Sequence, residues 1–528
     1  MLKFLLLSSV LAAPALAASA SDWQNRTIYQ LVTDRFATPD GSSPTCNTED
    51  RKYCGGTWQG VIKKLDYIQN MGFDAVWISP VVKNVEGTTA YGEAFHGYWT
   101  SDITQLNSHF GSTDDLKALS KALHDRGMYL MVDVVVNHMA ATQDPPNFAS
   151  FTPFNTQSDF HPECLIQASD YFNNQTAVEQ CWLGDSKMPL ADVNTEDQNI
   201  VNTWNTWIGD LVKNYSVDGV RIDTVKHVRK DFWPDFAKSA GVFTIGEVLD
   251  NRTTYVKDYT QVVDSVLDYP DWYPLVNAFM STTGNLSALP ETVKASQDTY
   301  KNGAFNTGAF LENHDQPRLG SQTNDSSLIM NAMVWPFVGD GIPILYYGQE
   351  QGYAGGADPA NREALWLSGY STTNAMFNHT VGLVAARQAA AKANSNFLST
   401  KVQFLSSNAS TLVVSKPPLV ALLTNQGSSS TPTWTVNGAN FSANEEIYDV
   451  LTCTKYTADG NGALTVTGSS GKPQILLPTS ALTAAGRSCP NFNAISAKQP
   501  SSAAALSSTL LPIGSAVAAV LVAAQFFF

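Results

Sequence analysis

Basic residues are scarce in this chain of 528 residues. Lysine and arginine total 32 against 47 aspartates and glutamates, which leaves a formal net charge of −15. Such a balance repels a phosphate backbone unless a local basic patch reverses the field. The sequence also has no internal repeat and no glycine-rich phosphate-binding motif. We therefore expect no nucleic-acid partner.

Charged residues of either sign are also few. They make up 15% of the chain, whereas hydrophobic residues make up 44% and include 25 Phe, 19 Tyr and 12 Trp. A disordered chain has the opposite composition. At roughly 150 residues per domain, the length allows about three domains, or two if one is a large barrel. We expect a folded protein with a sizeable core.

The N-terminal segment is apolar and short. Residues 1–17 combine one lysine, an apolar run and small residues up to Ala17. This pattern predicts a secretory signal peptide cleaved near Ala17. A membrane-spanning helix is the weaker interpretation, because the run is short and contains Pro14.

The C-terminal segment is apolar to its last residue. Residues 509–528 have no basic residue after them, and residues 491–508 form a spacer rich in serine and alanine. Small residues, a spacer and a terminal apolar tail together predict a GPI-attachment signal, with attachment at Ser501 or Ser502 and removal of the tail. A plain tail anchor usually keeps a basic residue beyond its span. We expect a secreted protein that is GPI-anchored at the cell membrane or cell wall.

Cysteines number only six, and an even number in a secreted chain favours disulfides. Their spacing favours three local pairs, although sequence alone does not fix the pairing. These pairs are Cys46 with Cys54, Cys164 with Cys181, and Cys453 with Cys489. Sequons for N-glycosylation occur at Asn25, Asn174, Asn214, Asn251, Asn285, Asn324, Asn378, Asn408 and Asn440.

Short apolar runs alternate with helical patterns between residues 22 and 396. Eight such runs can be counted, and eight parallel strands close a (β/α)8 barrel. The alternation breaks at residues 138–192, which we interpret as an inserted domain B after the third strand. The barrel is thus predicted over 22–137 and 193–396. Short alternating runs over 397–490 predict a C-terminal antiparallel β-sandwich.

Polar residues follow four of the predicted strands. In a (β/α)8 barrel, active residues lie at the C-terminal ends of the strands. The third run is followed by Asp133, Asn137 and His138, the fourth carries Arg221, Asp223, Lys226 and His227, the fifth ends in Glu247, and the seventh ends in Glu312, Asn313, His314 and Asp315.

The spacing of three of these residues, Arg221, Asp223 and Glu247, indicates a type of reaction. Arg221 and Asp223 are two residues apart, so their side chains share one face of a strand, and Glu247 follows on the next strand. Two carboxyl groups about 5 Å apart, one ionised and one protonated, perform retaining glycoside hydrolysis. Nearby negative charge would raise the pKa of Glu247 and keep its proton available. A structural salt bridge would explain any single pair, but burying so many ionisable groups for packing alone is costly.

Four segments resemble, in the right order, the signature regions of the α-amylase family, glycoside hydrolase family 13. They are DVVVNHMA (133–140), GVRIDTVKHV (219–228), GEVLD (246–250) and FLENHDQPR (310–318). The resemblance covers about residues 22–490 and includes secreted fungal α-amylases. It implies that Asp223 is the nucleophile, Glu247 the general acid and base, and Asp315 the stabiliser of the transition state. The implied substrate-binding residues are His96, Tyr98, Trp99, His138, Arg221, Lys226, His227, His314, Asp358 and Arg362.

The resemblance also implies a calcium ion that ties the inserted domain to the barrel. Its implied ligands are Asn137, Glu179, Asp192 and His227, the last with Glu179 through backbone carbonyls. A hard cation prefers such oxygen ligands. The chain departs from the family at Arg51, usually glutamine, and at Asn251, where near relatives carry glycine. Arg51 is expected near the part of the site that binds the glycone side of the substrate, and Asn251 near the part that binds the acceptor.

Three functions remain open at this point. The first is an α-amylase that cleaves internal α-1,4 bonds of starch-like glucans and maltooligosaccharides, acting as a monomer. The second is a 4-α-glucanotransferase of fungal cell-wall α-glucan synthesis, which the predicted GPI signal favours. The third is a wall protein that binds glucan without catalysis. Intact His138 and His314 favour the first, and the complete carboxylate set argues against the third.

Overall fold

A computed structural model of the chain describes residues 18–489 and residue 492. The predicted signal peptide, the spacer apart from residue 492, Ser501, Ser502 and the apolar tail lie outside the described residues. Within the described part of the chain, none of the helices is both long enough and apolar enough to cross a membrane.

Eight parallel strands form the central sheet. They are β1 (Ile28–Gln30), β2 (Ala75–Ile78), β3 (Tyr129–Val134), β4 (Gly219–Ile222), β5 (Phe243–Gly246), β6 (Ser265–Val266), β7 (Gly308–Ala309) and β8 (Ile342–Tyr346). Their spatial order is β6-β5-β4-β3-β2-β1-β8-β7. A parallel bridge between Leu267 and Gly308 joins the two outer strands and closes the sheet. The predicted (β/α)8 barrel is confirmed.

The barrel strands consist mainly of apolar residues because both of their faces are covered. All residues of β2, β4, β5 and β8 are buried, as expected for parallel strands between a packed interior and surrounding helices. The helices start at recognisable caps. Ser112, for example, forms a capping box with Asp115 at the start of helix Thr113–His124.

The α-helices of the described residues are Ala20–Gln24, Thr33–Phe36, Trp58–Lys63, Leu65–Asn70, Thr113–His124, Asp170–Asn173, Gln175–Gln180, Gln198–Tyr215, Trp233–Ala240, Thr253–Val256, Tyr269–Phe279, Ala288–Thr299, Ser326–Val338, Ala375–Ala393 and Thr479–Ala485. Short 3-10 turns connect several of them, including Val225–His227 directly after β4.

The inserted segment after β3 contains a small antiparallel sheet. Strand Met188–Asp192 lies between His138–Ala140 and Leu183–Asp185, and His138 pairs with Asp192. The segment therefore starts and ends side by side at the mouth of the barrel. A second small sheet, Val82–Asn84 with Thr100–Leu106, follows β2.

The C-terminal part is an antiparallel β-sandwich, as predicted. Its larger sheet has six strands in the order Gln403–Ser407, Thr411–Lys416, Leu419–Thr424, Gln474–Pro478, Glu446–Asp449 and Thr454–Thr457. The smaller sheet pairs Thr433–Val436 with Leu464–Thr467. Trp434 from the smaller sheet and Leu422 from the larger one belong to the same buried cluster.

The three predicted disulfides are confirmed. Cys46 is bonded to Cys54, Cys164 to Cys181, and Cys453 to Cys489. The second bridge closes the part of the inserted segment that carries helices Asp170–Asn173 and Gln175–Gln180.

Candidate active site

One guanidinium group, that of Arg221, organises the centre of the barrel mouth. The register between β3 and β4 sets Asp133 opposite Arg221. Arg221 Nη1 lies 2.9 Å from Asp133 Oδ1 and 2.8 Å from Asp223 Oδ1, and Nη2 lies 3.0 Å from Glu247 Oε2. The Arg221 side chain is only 1% exposed. Three carboxyl groups from three neighbouring strands thus share one buried positive charge.

Hydrogen bonds fix each carboxyl group further. Trp77 Nε1 and the Tyr98 hydroxyl donate to Asp133 Oδ2 at 3.1 and 2.7 Å. The Thr224 backbone N–H donates to Glu247 Oε2 and its hydroxyl donates to Asp223 Oδ2, both at 3.1 Å. Thr224 has a φ of 48°, a left-handed conformation that the turn after β4 requires. Thr224 therefore fixes the two predicted catalytic carboxyls relative to each other.

Glu247 has the titration behaviour of a general acid. Burial raises its pKa to about 7, with Arg221 opposing the rise and Asp223 and Asp315 adding to it. The sequence predicts a rise from neighbouring charge, but desolvation is the larger cause. Burial likewise raises the pKa of Asp133 to about 7.

Asp315 lies across the site, on the segment after β7. Its carboxylate is 3.2 Å from His314 Nε2 and 3.7 Å from Arg362 Nη2. Burial raises its pKa, with Arg362 and Arg221 opposing. Its side chain nevertheless remains 32% exposed, so a ligand can reach it.

A chain of ion pairs continues from Asp315 to the rim. Arg362 Nη1 is 3.1 Å from Asp358 Oδ1, and Arg51 Nη1 is 2.8 Å from Asp358 Oδ2. Arg51 also donates through Nη2 to the Asp358 carbonyl at 3.2 Å. The unusual Arg51 thus contacts one of the predicted sugar-binding residues directly.

The aromatic and imidazole groups predicted to bind substrate line the same mouth. Tyr98 stacks on His314 with centroids 5.0 Å apart, and His96 packs edge-on against Trp99. His138 Nε2 is 3.2 Å from the Tyr98 carbonyl oxygen. Burial lowers the pKa of His96, His138 and His314. They are therefore neutral near pH 7 and add no positive charge to the site, and the single N–H of neutral His138 donates to the Tyr98 carbonyl, which leaves its Nδ1 as an acceptor.

Lys226 and His227 lie in the 3-10 turn after β4, where Lys226 is close enough to Glu247 for their charges to interact. Lys226 Nζ donates to the Leu249 carbonyl at 2.7 Å and lies 4.4 Å from the centroid of the Tyr171 ring. Burial lowers its pKa. His227 Nδ1 is 3.0 Å from the Val178 carbonyl oxygen, and burial lowers the pKa of His227 to about 3.

The predicted calcium ligands come together in part. The Asn137 side-chain amide lies 2.9 Å from the His227 carbonyl oxygen and 3.0 Å from Asp192 Oδ2. If the amide oxygen of Asn137 faces these two atoms, three oxygens converge, as in a site for a hard cation. If the amide nitrogen faces them, it donates a hydrogen bond to each of the two oxygens. Glu179 lies on helix Gln175–Gln180 next to Val178, and its carboxylate accepts from Gln175 Nε2 at 2.7 Å. The described residues contain no cluster of three or more His, Cys, Asp or Glu suited to a metal. Carboxylate, amide and carbonyl oxygens are nevertheless the donor types that calcium prefers, so the residues present fit this ion.

Sequence reasoning missed several residues that support the site. Gln30 on β1 lies 3.0 Å from His314 Nδ1, and the Tyr269 hydroxyl accepts from Asn313. Glu312 follows β7 but pairs with the buried Arg318 at 3.0 Å, so it contributes to packing beside the mouth. No local signal marks Gln30 or Trp77, because each acts on a residue far away in the sequence.

Comparison with known proteins identifies the family. The family model described as Alpha amylase, catalytic domain, matches residues 30–401, and the one described as Alpha-amylase, domain C, matches residues 404–491. The chain belongs to the α-amylase family. An α-amylase of Saccharomycopsis fibuligera is 44% identical over 463 residues, covering 87% of this chain and 92% of that protein.

Solved α-amylase structures share the whole fold. The α-amylase from Malbranchea cinnamomea has a TM-score of 0.86 at 42% identity, covering 89% of this chain and 99% of that one. The α-amylase from Geobacillus thermoleovorans, solved with acarbose, has a TM-score of 0.74 at 28% identity, covering 86% and 98%. The chain is thus an α-amylase-like enzyme with both domains of its family.

Proposed function

We propose that this protein is an endo-acting α-amylase that cleaves internal α-1,4-glucosidic bonds of starch-like glucans with retention of configuration. The observation that carries the proposal is the contact of one Arg221 guanidinium with both Asp223 and Glu247. The α-amylase relatives support the substrate class.

The reaction runs in two steps at these carboxyls. Glu247, which keeps its proton up to about pH 7, gives that proton to the leaving oxygen while the Asp223 carboxylate attacks the anomeric carbon. Glu247 then accepts a proton from the incoming water, which displaces Asp223. Asp315 and the neutral His138 and His314 hold the hydroxyls of the distorted sugar, and Tyr98 stacks on its ring. Arg221 keeps Asp223 oriented throughout.

Calcium is part of the proposal. Asn137, Asp192 and the His227 carbonyl would hold it, and the family resemblance adds the Glu179 carbonyl. When bound, the ion supplies positive charge that ties the inserted segment to the turn after β4, next to Lys226.

The proposed location is the cell surface. The signal-like residues 1–17, the GPI-like tail at 509–528 and the nine sequons support secretion, anchoring through Ser501 or Ser502, and glycosylation. A 4-α-glucanotransferase of wall α-glucan synthesis is the second candidate, and the same tail favours it. The site serves both reactions, because they differ only in whether water or a sugar hydroxyl resolves the intermediate.

Two variants test the catalytic assignment. We expect Asp223→Asn and Glu247→Gln to lower the turnover of maltoheptaose by at least about 100-fold, because each removes a group that acts in the transition state. The exposed Glu291→Gln serves as a matched control that keeps full activity. Circular dichroism establishes that all variants are folded. Unchanged glucan processing by Glu247→Gln would refute the assignment.

Product lengths distinguish the two candidate reactions. Mass spectrometry after incubation with maltoheptaose gives only shorter products for a hydrolase. Products longer than the substrate from the earliest times identify the transferase.

A further inference from the structure

A long groove follows the outer wall of the barrel. It has a volume of about 890 Å³ and lies between helix Gln198–Tyr215, strand Thr100–Leu106 and the start of helix Thr113–His124. A cavity of this size is in the range that binds a ligand of a few rings. Helix Gln198–Tyr215 ends shortly before β4 begins at Gly219, whereas Asp223 follows the other end of β4. The groove therefore extends toward the face of the barrel opposite the mouth.

The lining of the groove suits a neutral sugar. Asp210 is the one charged residue among those that line it. The Thr203 hydroxyl donates to the Asn199 carbonyl and the Thr206 hydroxyl to the Asn202 carbonyl, both at 2.8 Å. Their oxygens therefore remain acceptors for the O–H or N–H groups of a ligand. An anion would find no cationic side chain among the lining residues.

Trp207 provides a fixed aromatic surface in the groove. Its Nε1 donates to the Ile103 carbonyl at 2.7 Å, and its ring packs edge-on against Trp204 with centroids 5.2 Å apart. The side chain nevertheless remains only partly buried. A ring held in this way can contact the apolar face of a pyranose while the hydroxyls of the sugar meet the polar lining.

Asn214 lies on the same face of the helix as Trp207. Seven residues separate the two, which is nearly two helical turns and a rise of about 10 Å. Asn214 lines the groove, is exposed, and is the acceptor of the sequon that ends at Ser216. The helix ends within this sequon, because Ser216 is its C-cap, with a φ of 51°. A glycan on Asn214 would therefore start at one end of the groove and extend along it toward Trp207.

We propose that the groove is the seat of an N-linked glycan on Asn214, whose core N-acetylglucosamine rings lie against Trp207. The inference rests on the cell-surface location that is part of the proposed function. Attachment forms a bond between Asn214 Nδ2 and C1 of the first sugar. The bond from C1 to the pyrophosphate oxygen of a lipid-linked oligosaccharide breaks, and the amide gives up one proton. The covalent bond then keeps the sugars at a high effective concentration beside the groove.

The test measures how fast a peptide-N-glycosidase removes this glycan from the native protein. The full chain is produced in a eukaryotic host, and mass spectrometry of the peptide that contains Asn214 follows the release. Ser108→Arg fills the groove, since Ser108 is an exposed lining residue after strand Thr100–Leu106. Trp207→Ala removes the aromatic surface, and Trp207→Phe keeps one. Ser429→Arg, at an exposed serine of the C-terminal β-sandwich, is the matched control.

We expect Ser108→Arg and Trp207→Ala to speed release from Asn214 about tenfold, which corresponds to about 1.4 kcal/mol. The reason is that a glycan displaced from the groove exposes its linkage to the glycosidase. Trp207→Phe and Ser429→Arg should stay near the wild-type rate. All four variants should keep the wild-type kcat/KM for maltoheptaose, which also establishes that they are folded. Ser108→Arg leaves the packing of Trp207 intact, so it decides the question even if Trp207→Ala does not fold.

Two results overturn the inference. One is an equal release rate from the wild type and Ser108→Arg. The other is an unmodified Asn214 in a protein whose other sequons carry glycans. If maltoheptaose then bound to Glu247→Gln at a second place that Ser108→Arg removed, the groove would belong to an α-glucan chain. A protein without a glycan at any sequon would overturn the proposed cell-surface location together with the inference.

Discussion

Glu247 is the residue whose protonation controls the pH dependence of the reaction. Its pKa is raised to about 7, mainly by burial. A general acid must carry its proton, so kcat/KM for maltoheptaose should fall as pH rises through about 7, approaching tenfold per further pH unit. Initial rates measured from about pH 5 to about pH 9 give this alkaline limb, the decrease of kcat/KM with rising pH.

A substrate that needs no acid provides the control for this prediction. Fluoride leaves without protonation, so the limb near pH 7 should be absent from kcat/KM for α-maltotriosyl fluoride. The same limb with both substrates would assign it to a different group, and Glu247 would not be the acid.

Arg51 is the residue at which the glycone side departs from the family. It donates one hydrogen bond to the Asp358 carboxylate and one to the Asp358 backbone carbonyl, and its own carbonyl accepts from Glu93 N–H at 2.7 Å. The pair is about one-third exposed, so it adds little stability. We expect Arg51→Gln to free Asp358 Oδ2 for sugar hydroxyls and to lower KM for maltoheptaose about threefold, with little change in kcat.

Steady-state kinetics of Arg51→Gln and Arg51→Lys check this expectation. The lysine variant keeps the charge and should stay near the wild type. A higher KM in Arg51→Gln would contradict the prediction and would mean that Arg51 itself binds the sugar.

At the scale of elements, the inserted segment starts and ends at the mouth of the barrel. His138 pairs with Asp192 at its base, the Cys164–Cys181 bridge lies within it, and the Asn137 amide lies against Asp192 and the His227 carbonyl. We expect chelation of calcium to lower Tm by about 5 °C or more, because an ion bound only to the folded state stabilises it. Differential scanning fluorimetry with EGTA measures this shift independently of activity.

The matched variant is Asn137→Ala, which removes one proposed ligand oxygen. It should lose most of the calcium-dependent shift, whereas added magnesium should not restore Tm in the chelated wild type. An identical Tm with and without EGTA would rule out a structural calcium ion at these residues.

For the whole molecule, the sequence predicts the barrel well because buried parallel strands are continuous apolar runs. The strand Thr454–Thr457 carries no such signal in the sequence, since three of its four residues are exposed and do not alternate with buried ones. The principle that active residues of a barrel follow the C-terminal ends of its strands located the site carboxyls after β4, β5 and β7. It could not locate Gln30, because its contact with His314 spans 284 positions and depends on barrel closure.

The same burial that shapes the site makes overall stability depend on pH. Asp268 and Asp271, at the start of helix Tyr269–Phe279, are almost fully buried, and Asp271 Oδ1 has no hydrogen-bond partner. Burial raises the pKa of Asp268 to about 6 and that of Asp271 well above its ordinary value, and the charge of Asp340 adds to both. Folded-state values above the unfolded value of about 3.9 mean that the folded protein binds more protons. This contribution to stability is complete below about pH 4 and is lost as pH rises through about 6 and beyond.

Asp271→Asn should therefore raise Tm more at about pH 8 than at about pH 5, because the contribution of the buried carboxyl is lost at the higher pH. The amide is neutral at every pH, so it removes the desolvation of a buried charge while keeping the shape of the side chain. Thermal unfolding at both pH values measures the effect, with the exposed Asp298→Asn as the control that leaves the difference unchanged. If Asp271→Asn lowered Tm equally at both pH values, the carboxyl would act only through packing, and the pH dependence would have to come from other groups.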